Sequence, residues 1–311
     1  MDALTDLLDG PRARGAFMLR ATMSPPWSIR CEDRAPLSLV AMVRDHAYVW
    51  AEGGDPVRIE PGDIAIALGP DVYTVAGAPD TPVQVIIKPG QLCTAPDGRS
   101  LSEEMDLGMR SWGNDPDGPM EMLIGTYQMR GAVTRRLLAA LPGLLVLTAG
   151  SWDSPLVGLL RQEIVKDEPG QEIVLDRLLD LLLIAALRTW FSRPEAEAPG
   201  WYRAHGDPVV GPALRLLHEN LAHPWTVAEL AAKVGASRAA LAQRFGRLVG
   251  ETPMAYLTGL RLAQAADLLR ETDATLEAVA RQVGYGTAFA LSTAFKRERG
   301  VSPQDYRARS G

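Results

Sequence analysis

The sequence predicts an α+β multidomain protein: an N-terminal β-barrel or jelly roll, a helical segment, and an all-α C-terminal domain with two helix-turn-helix units. Three observations predict it. Residues 12–90 are rich in Val, Ile, Pro and Gly, in short alternating runs separated by turn residues. Residues 133–191 return to Ala/Leu-rich helical periodicity. Residues 226–307 contain one supersecondary unit twice, so that Leu230-Ala-Ala-Lys-Val-Gly235 is echoed by Val279-Ala-Arg-Gln-Val-Gly284. The expected boundaries are 1–130, 131–200 and 201–311.

In the first region, strands are predicted at 16–22, 27–31, 37–44, 47–52, 57–59, 64–68 and 83–88, with hairpin-type turns at Glu52-Gly-Gly-Asp55 and Pro61-Gly-Asp63. Strands this short, at this turn spacing, suit a small barrel or jelly roll. Residues 91–125 are rich in Gly, Pro, Asp and Met and read as a long irregular segment. Met105, Met109, Trp112, Met120 and Met122 there suit either a lid that adapts to a ligand or ordinary gap-filling in a core.

The helical middle is predicted as 133–141, then 155–166 after a Ser154 cap, then 173–191. The last presents Val174, Leu178, Leu181, Leu182 and Ala185 along one stripe, with further leucines at 175, 179 and 183. A helix apolar nearly all round is buried on several sides. One of those sides is expected to meet a second copy, making a homodimer; the alternative is burial against its own barrel. Asp176, Arg177, Asp180 and Arg188 interrupt it, so it does not span a bilayer. Residues 192–200, rich in Pro, Glu and Ala, read as a linker, and 211–221 as the first helix of the last domain.

In the first repeat, Thr226 caps a helix whose Val227, Leu230, Ala231 and Val234 share a face, with Glu229 placed for a capping box and Gly235 as its stop. Ser237 caps the next helix, whose Leu241, Phe245 and Leu248 point back at the first. Arg238, Ala239, Ala242, Gln243 and Arg247 are left facing outward, where a major groove would meet them. The second repeat sets Leu276, Val279, Ala280 and Val283 opposite Phe289 and Phe295. Its outward set is Thr287, Ala288, Ser292 and Thr293, with Lys296, Arg297 and Arg299 at a basic end. One helix, 254–270, joins the units.

At these residues the chain resembles the AraC/XylS family of transcription regulators. The resemblance is carried by Arg261-Leu-Ala-Gln-Ala-Ala-Asp-Leu-Leu269 and by Gly284-Tyr-Gly-Thr-Ala-Phe289 through Phe295-Lys-Arg-Glu-Arg-Gly-Val-Ser-Pro-Gln-Asp-Tyr-Arg307. Thr293 departs from it, standing where the family often has Arg. The run Pro56-Val-Arg-Ile-Glu-Pro-Gly-Asp-Ile-Ala-Ile66 likewise resembles the turn of the cupin fold, and the barrel looks like the cupin-like sensor of one branch of that family. The resemblance implies a sequence-specific regulator that binds double-stranded promoter DNA and works with RNA polymerase. It also implies that a small-molecule effector or a chemical signal at the barrel changes how the reading heads meet a promoter. Some cupin-bearing relatives sense oxidants through thiols, which makes Cys31 and Cys93 candidate redox residues beside Arg30, Arg34 and Lys88. The other reading of these cysteines is small buried hydrophobes.

Charge agrees with the DNA-binding reading. Residues 201–311 carry 14 Lys+Arg against 10 Asp+Glu, whereas residues 1–200 carry 18 against 28, so the net −6 hides a basic C-terminal part. A cupin-type enzyme fused to a DNA-binding domain is the rival reading. Of the four histidines only His46 lies in the barrel, and Tyr73 stands where related sequences often place His. One imidazole does not build a catalytic metal site, so no metal, cofactor or catalytic residue is expected. A third reading makes the barrel purely structural. The first residues have no basic stretch followed by an apolar core, and two cysteines suit a reducing compartment; both point to the cytoplasm, with no membrane partner.

Overall fold

A computed structural model describes residues 17–127, 138, 141–152, 155–193 and 198–308. Within these, 17–127 and 141–193 form one compact unit and 198–308 form a second.

The first unit is two facing six-stranded sheets. Its strands are β1 (Phe17–Met23), β2 (Ser28–Cys31), β3 (Leu37–Arg44), β4 (Ala47–Ala51), β5 (Val57–Ile59), β6 (Ile64–Leu68), β7 (Tyr73–Ala76), β8 (Val85–Lys88), β9 (Leu92–Thr94), β10 (Ser111–Gly113), β11 (Met120–Tyr127) and β12 (Leu144–Leu147). One sheet runs β10-β1-β11-β3-β6-β12 and the other β5-β4-β7-β2-β8-β9. Inward residues of both sheets, among them Met23, Val40, Met42 and Met122 facing Trp27, Ile29, Val49 and Val75, make one buried core.

The expectation of a long irregular segment over 91–125 is corrected here. β11 lies centrally between β1 and β3, and β9 and β10 are also strands. Met105, Met120 and Met122 fill the core. Sequence reading missed β11 because Met, Glu and Gly are weak strand formers, and what fixes it is pairing on both sides. β12 was hidden for another reason: four apolar residues in a row carry no period.

Two helices, α1 (Leu156–Ile164) and α2 (Gln171–Ser192), cover the outer face of the β11 sheet. Ser154 and most of the helix expected at 133–141 lie outside the described residues. The Tyr127 hydroxyl donates to the Leu179 carbonyl at 2.7 Å, and a Cβ on Gly125 would sit 2.8 Å from Leu179 Cδ2, so helix and strand approach closely because residue 125 has no side chain. Strands buried on both faces read as continuous apolar runs, as all five residues of β6 do.

Glu121 ties this arrangement together. Its side chain is 3% exposed and meets Arg44 of β3 at 2.8 Å and Arg161 of α1 at 3.1 Å. Burial pushes its carboxyl up, but the hydrogen bonds and charges of Arg161 and Arg44 outweigh this and hold it below the ordinary carboxylate value. A depressed folded value contributes stability that is fully present above the unfolded value, about 4.3, and is lost as pH falls through the folded one. Glu121→Gln is therefore expected to cost about 1–2 kcal/mol at pH 7, less than a fully buried pair because both arginines are near half-exposed. In urea melts, the gap between variant and wild type should narrow below about pH 4; a gap independent of pH would refute the assignment.

The second unit is all-helical: α3 (Gly200–Arg203), α4 (Val210–Glu219), α5 (Val227–Lys233), α6 (Arg238–Val249), α7 (Pro253–Glu271), α8 (Leu276–Gln282), α9 (Ala288–Arg299) and α10 (Pro303–Ala308). The repeat is visible in its packing. Phe245 meets Tyr256 edge-on at 5.8 Å, and Phe295 meets Tyr306 at 5.3 Å with nearly the same tilt.

Candidate nucleic-acid interface and interior cavity

Each helix-turn-helix is set by a short run of local chemistry. Thr226 and Ser237 accept from the Glu229 and Ala240 amides at 3.1 and 3.2 Å, and Thr275 and Thr287 repeat this on Ala278 and Ala290. Such caps satisfy amides that a helix start leaves unpaired. Gly235 and Gly284, with φ of +68° and +81°, turn the chain between the helices of each pair. The expected capping box is half realised: the Glu229 carboxylate does not reach back to the cap but meets His223 Nε2 at 2.8 Å.

On α6, Leu241 and Phe245 are buried while Arg238, Ala239, Ala242, Gln243 and Arg247 are exposed on the opposite side. Neighbouring Arg244 turns away from that face and pairs with Asp207 at 2.7 Å. On α9, Leu291, Ala294 and Phe295 are buried, Thr287, Thr293, Lys296 and Arg297 are exposed, and Ala288, Ser292 and Arg299 are half-exposed. One expectation fails. Phe289, read as a core residue opposite Val283, is 81% exposed. Its aromatic character pointed inward, but Leu291 and Phe295, spaced four apart, already complete the buried stripe, and residue 289 falls off it.

α7 joins the two helix-turn-helix repeats over 19 residues, about 28 Å at 1.5 Å per residue. Arg261, halfway along it, donates to the Leu221 carbonyl at 2.9 Å and the His223 carbonyl at 2.6 Å, and Arg307 does the same for Leu269 and Ala274 at 3.1 and 2.6 Å. Two arginines in the segments that carry the family resemblance thus bind backbone.

Between the sheets of the first unit lies a cavity of about 80 Å³ lined by apolar groups that include Ile29, Val40, Val75, Trp112, Met122 and Ile124. One end of it is polar. Tyr73 is buried there with its hydroxyl interacting with both the Cys31 thiol and the Ser38 hydroxyl. Thr126, cross-strand from Ser38, is also buried, and its hydroxyl has no hydrogen-bond partner among the described residues. Asp33 and Gln91, hydrogen-bonded at 3.1 Å, complete the lining at this end.

Both cysteines line this cavity, and the strand register speaks against linking them. Cys31 on β2 and Cys93 on β9 each pair with Ile87 on the intervening β8. Two strand spacings separate their Cα atoms by about 9.6 Å, beyond the roughly 7 Å that a disulfide bridges. Burial pushes Cys31 up to about 12 and Cys93 up to about 11, so the reactive thiolate is suppressed in both. A disulfide between these two candidate redox residues does not fit this arrangement, which agrees better with their other reading as small buried hydrophobes. His46 is outside the cavity, on a turn where Nδ1 meets Asp45 at 2.7 Å, and no cluster of metal-binding side chains occurs among the described residues. Likewise, none of their helices is long and apolar enough to cross a membrane.

Residues 2–192 match the Cupin family and residues 230–309 a helix-turn-helix domain family. A Streptomyces antibioticus protein described as an AraC-like transcription regulator is 31% identical over 313 residues, covering 99% of this chain and 98% of that one. The RCS-specific HTH-type transcriptional activator RclR of Escherichia coli is 29% identical over 194 residues, 60% of this chain and 68% of that one. Among solved structures, the DNA-binding domain of AdpA in complex with a target DNA is 35% identical over 33% of this chain and 93% of that one, with a TM-score of 0.32. These relatives are regulators of transcription rather than enzymes, which accords with the expectation from the histidine count. With a cupin domain at one end and a helix-turn-helix DNA-binding domain at the other, the chain belongs to the AraC family of transcription regulators.

Proposed function

We propose that this regulator reads promoter DNA through the exposed faces of α6 and α9, and that a small effector held between the sheets of the cupin domain changes how those faces meet the duplex. The observation that carries the reading is the repeated pair of capped helices, each with its apolar stripe buried and the opposite face open. In this reading Arg238 and Gln243 contact base edges from α6, with Ala239, Ala242 and Arg247 beside them. On α9, Thr287, Ala288, Ser292 and Thr293 make short contacts, and Phe289 joins them as an apolar group suited to a thymine methyl. Lys296 and Arg297 neutralise phosphates; Arg299, half-buried, contributes less. Base discrimination then comes mostly from α6, the second helix of the first helix-turn-helix. Gln243→Ala is expected to relax sequence preference at one position by about 1–3 kcal/mol, whereas Lys296→Ala weakens all sequences alike and lowers the salt slope by about one charge. Selection from a randomised duplex pool, followed by salt titrations, reads both; an unchanged preferred sequence in Gln243→Ala would remove it from the reading set.

We further propose a cytoplasmic homodimer formed through α2 and acting with RNA polymerase. Leu175, Leu179, Leu182, Leu183 and Ala186 are buried, whereas Val174 is 43% and Leu181 51% exposed, with Leu178 and Ala185 partly so. Residues 174, 178, 181 and 185 follow the spacing of a helix–helix seam. Leu181→Glu should raise the dimer dissociation constant at least tenfold, about 1.4 kcal/mol, as read by sedimentation. An unaltered association would move the interface elsewhere.

A further inference from the structure

The lining of the cavity carries information on what it accepts. Along its length it runs from Ile29, Val40, Val75 and Met122 to a polar end where Thr126 offers a hydroxyl with no partner among the described residues. Leaving a buried hydroxyl unpaired is costly, and a group that binds it from the cavity removes that cost. Asp33 is the one charged side chain among the described lining residues; no Lys, Arg or His accompanies it. A carboxylate without a cation beside it attracts hydrogen-bond donors and positive charge and repels anions. The volume, about 80 Å³, is about half that of the 150 Å³ cavity that admits benzene. The enclosed part therefore holds a short, slender chain rather than a fused ring system.

Resting on the effector reading above, we propose that the cavity takes a small molecule with a slender apolar body and a hydrogen-bond-donating end, an alcohol or an amine, and that it excludes carboxylates. The apolar body lies against Met122, Ile29 and Val40. The donating end faces Asp33, within reach of the Thr126 hydroxyl, which can accept from it or donate to it.

Three probes with one chain length and different ends test this: butylamine, butan-1-ol and butyrate, titrated at pH 7 into the full-length protein carrying 13C-methyl methionine. The Met122 methyl signal, assigned by its loss in Met122→Leu, reports the cavity, and Met109, 53% exposed, reports non-specific binding. Amine and alcohol should shift Met122 saturably while Met109 stays put, with butyrate at least tenfold weaker. Asp33→Asn should bring butyrate to within a few-fold of the alcohol, and Thr126→Val should weaken the alcohol. Saturable binding of butyrate as tight as that of the amine overturns the end-group rule while leaving a ligand-binding cavity. No Met122 shift with any probe overturns both the rule and the effector reading.

Discussion

Gly284→Ala is expected to cost several kcal/mol and to remove specific DNA binding, whereas the same substitution at Gly235, the equivalent turn of the first repeat, costs about 1 kcal/mol. Both glycines have positive φ, +81° and +68°, a conformation that an Ala side chain adopts at about 1 kcal/mol or somewhat more. Their surroundings differ. A Cβ on Gly235 meets nothing within 4 Å, but on Gly284 it would lie 2.6 Å from the Ala222 carbonyl oxygen, 2.7 Å from Ala222 Cα and 2.8 Å from Arg261 Nη2. Two of those atoms are backbone, and the third belongs to a side chain already bound to the Leu221 and His223 carbonyls. Relief of the clash therefore has to move the loop between α4 and α5, which leads into the first repeat. Thermal melts of the two variants check this directly: equal shifts in Tm would mean that the close approach at residue 284 does not hold the second helix-turn-helix in place.

A five-base-pair insertion between the two DNA segments contacted by one chain is expected to reduce affinity at least 100-fold, about 3 kcal/mol. α7 sets the distance between the reading helices, and its 19 residues span about 28 Å, close to the roughly 34 Å between successive major grooves on one face of a duplex. One chain can then engage two grooves, a site of nearly two turns that needs no palindrome. Five base pairs rotate the far segment by about half a turn, to the opposite face, where a continuous helix does not let α9 follow. Ten base pairs restore the face but roughly double the distance, so they should not rescue binding. Rescue by ten, or indifference to five, would show that the two helix-turn-helix repeats move independently.

Much of the DNA-binding domain was legible in the sequence because its determinants are local. A hydroxyl cap, a run of apolar residues at helical spacing and a glycine stop act within one or two turns, and the fifty-residue repeat states them twice, from Ser237 and Phe245 to Thr287 and Phe295. The short strands with paired turns, such as β3 and β6, were legible for the same reason. What lay in long-range contacts was not. β11 is a strand because β1 and β3 pair with it from far along the chain, and nothing within Met120–Tyr127 announces that. Which side of α2 is buried depended on its position over β11, so its leucines could not be divided between core and surface beforehand. Phe289 is outside because the buried stripe of α9 was already filled, and Cys31 and Cys93 are kept apart by a strand, β8, that pairs with both. The sequence by itself determined the paired helices of the helix-turn-helix repeats and the family they belong to, since those rest on interactions between residues a few positions apart. Only the tertiary structure decided the central strand, the exposed side of α2 and the polar end of the cavity, since these depend on which distant segments meet.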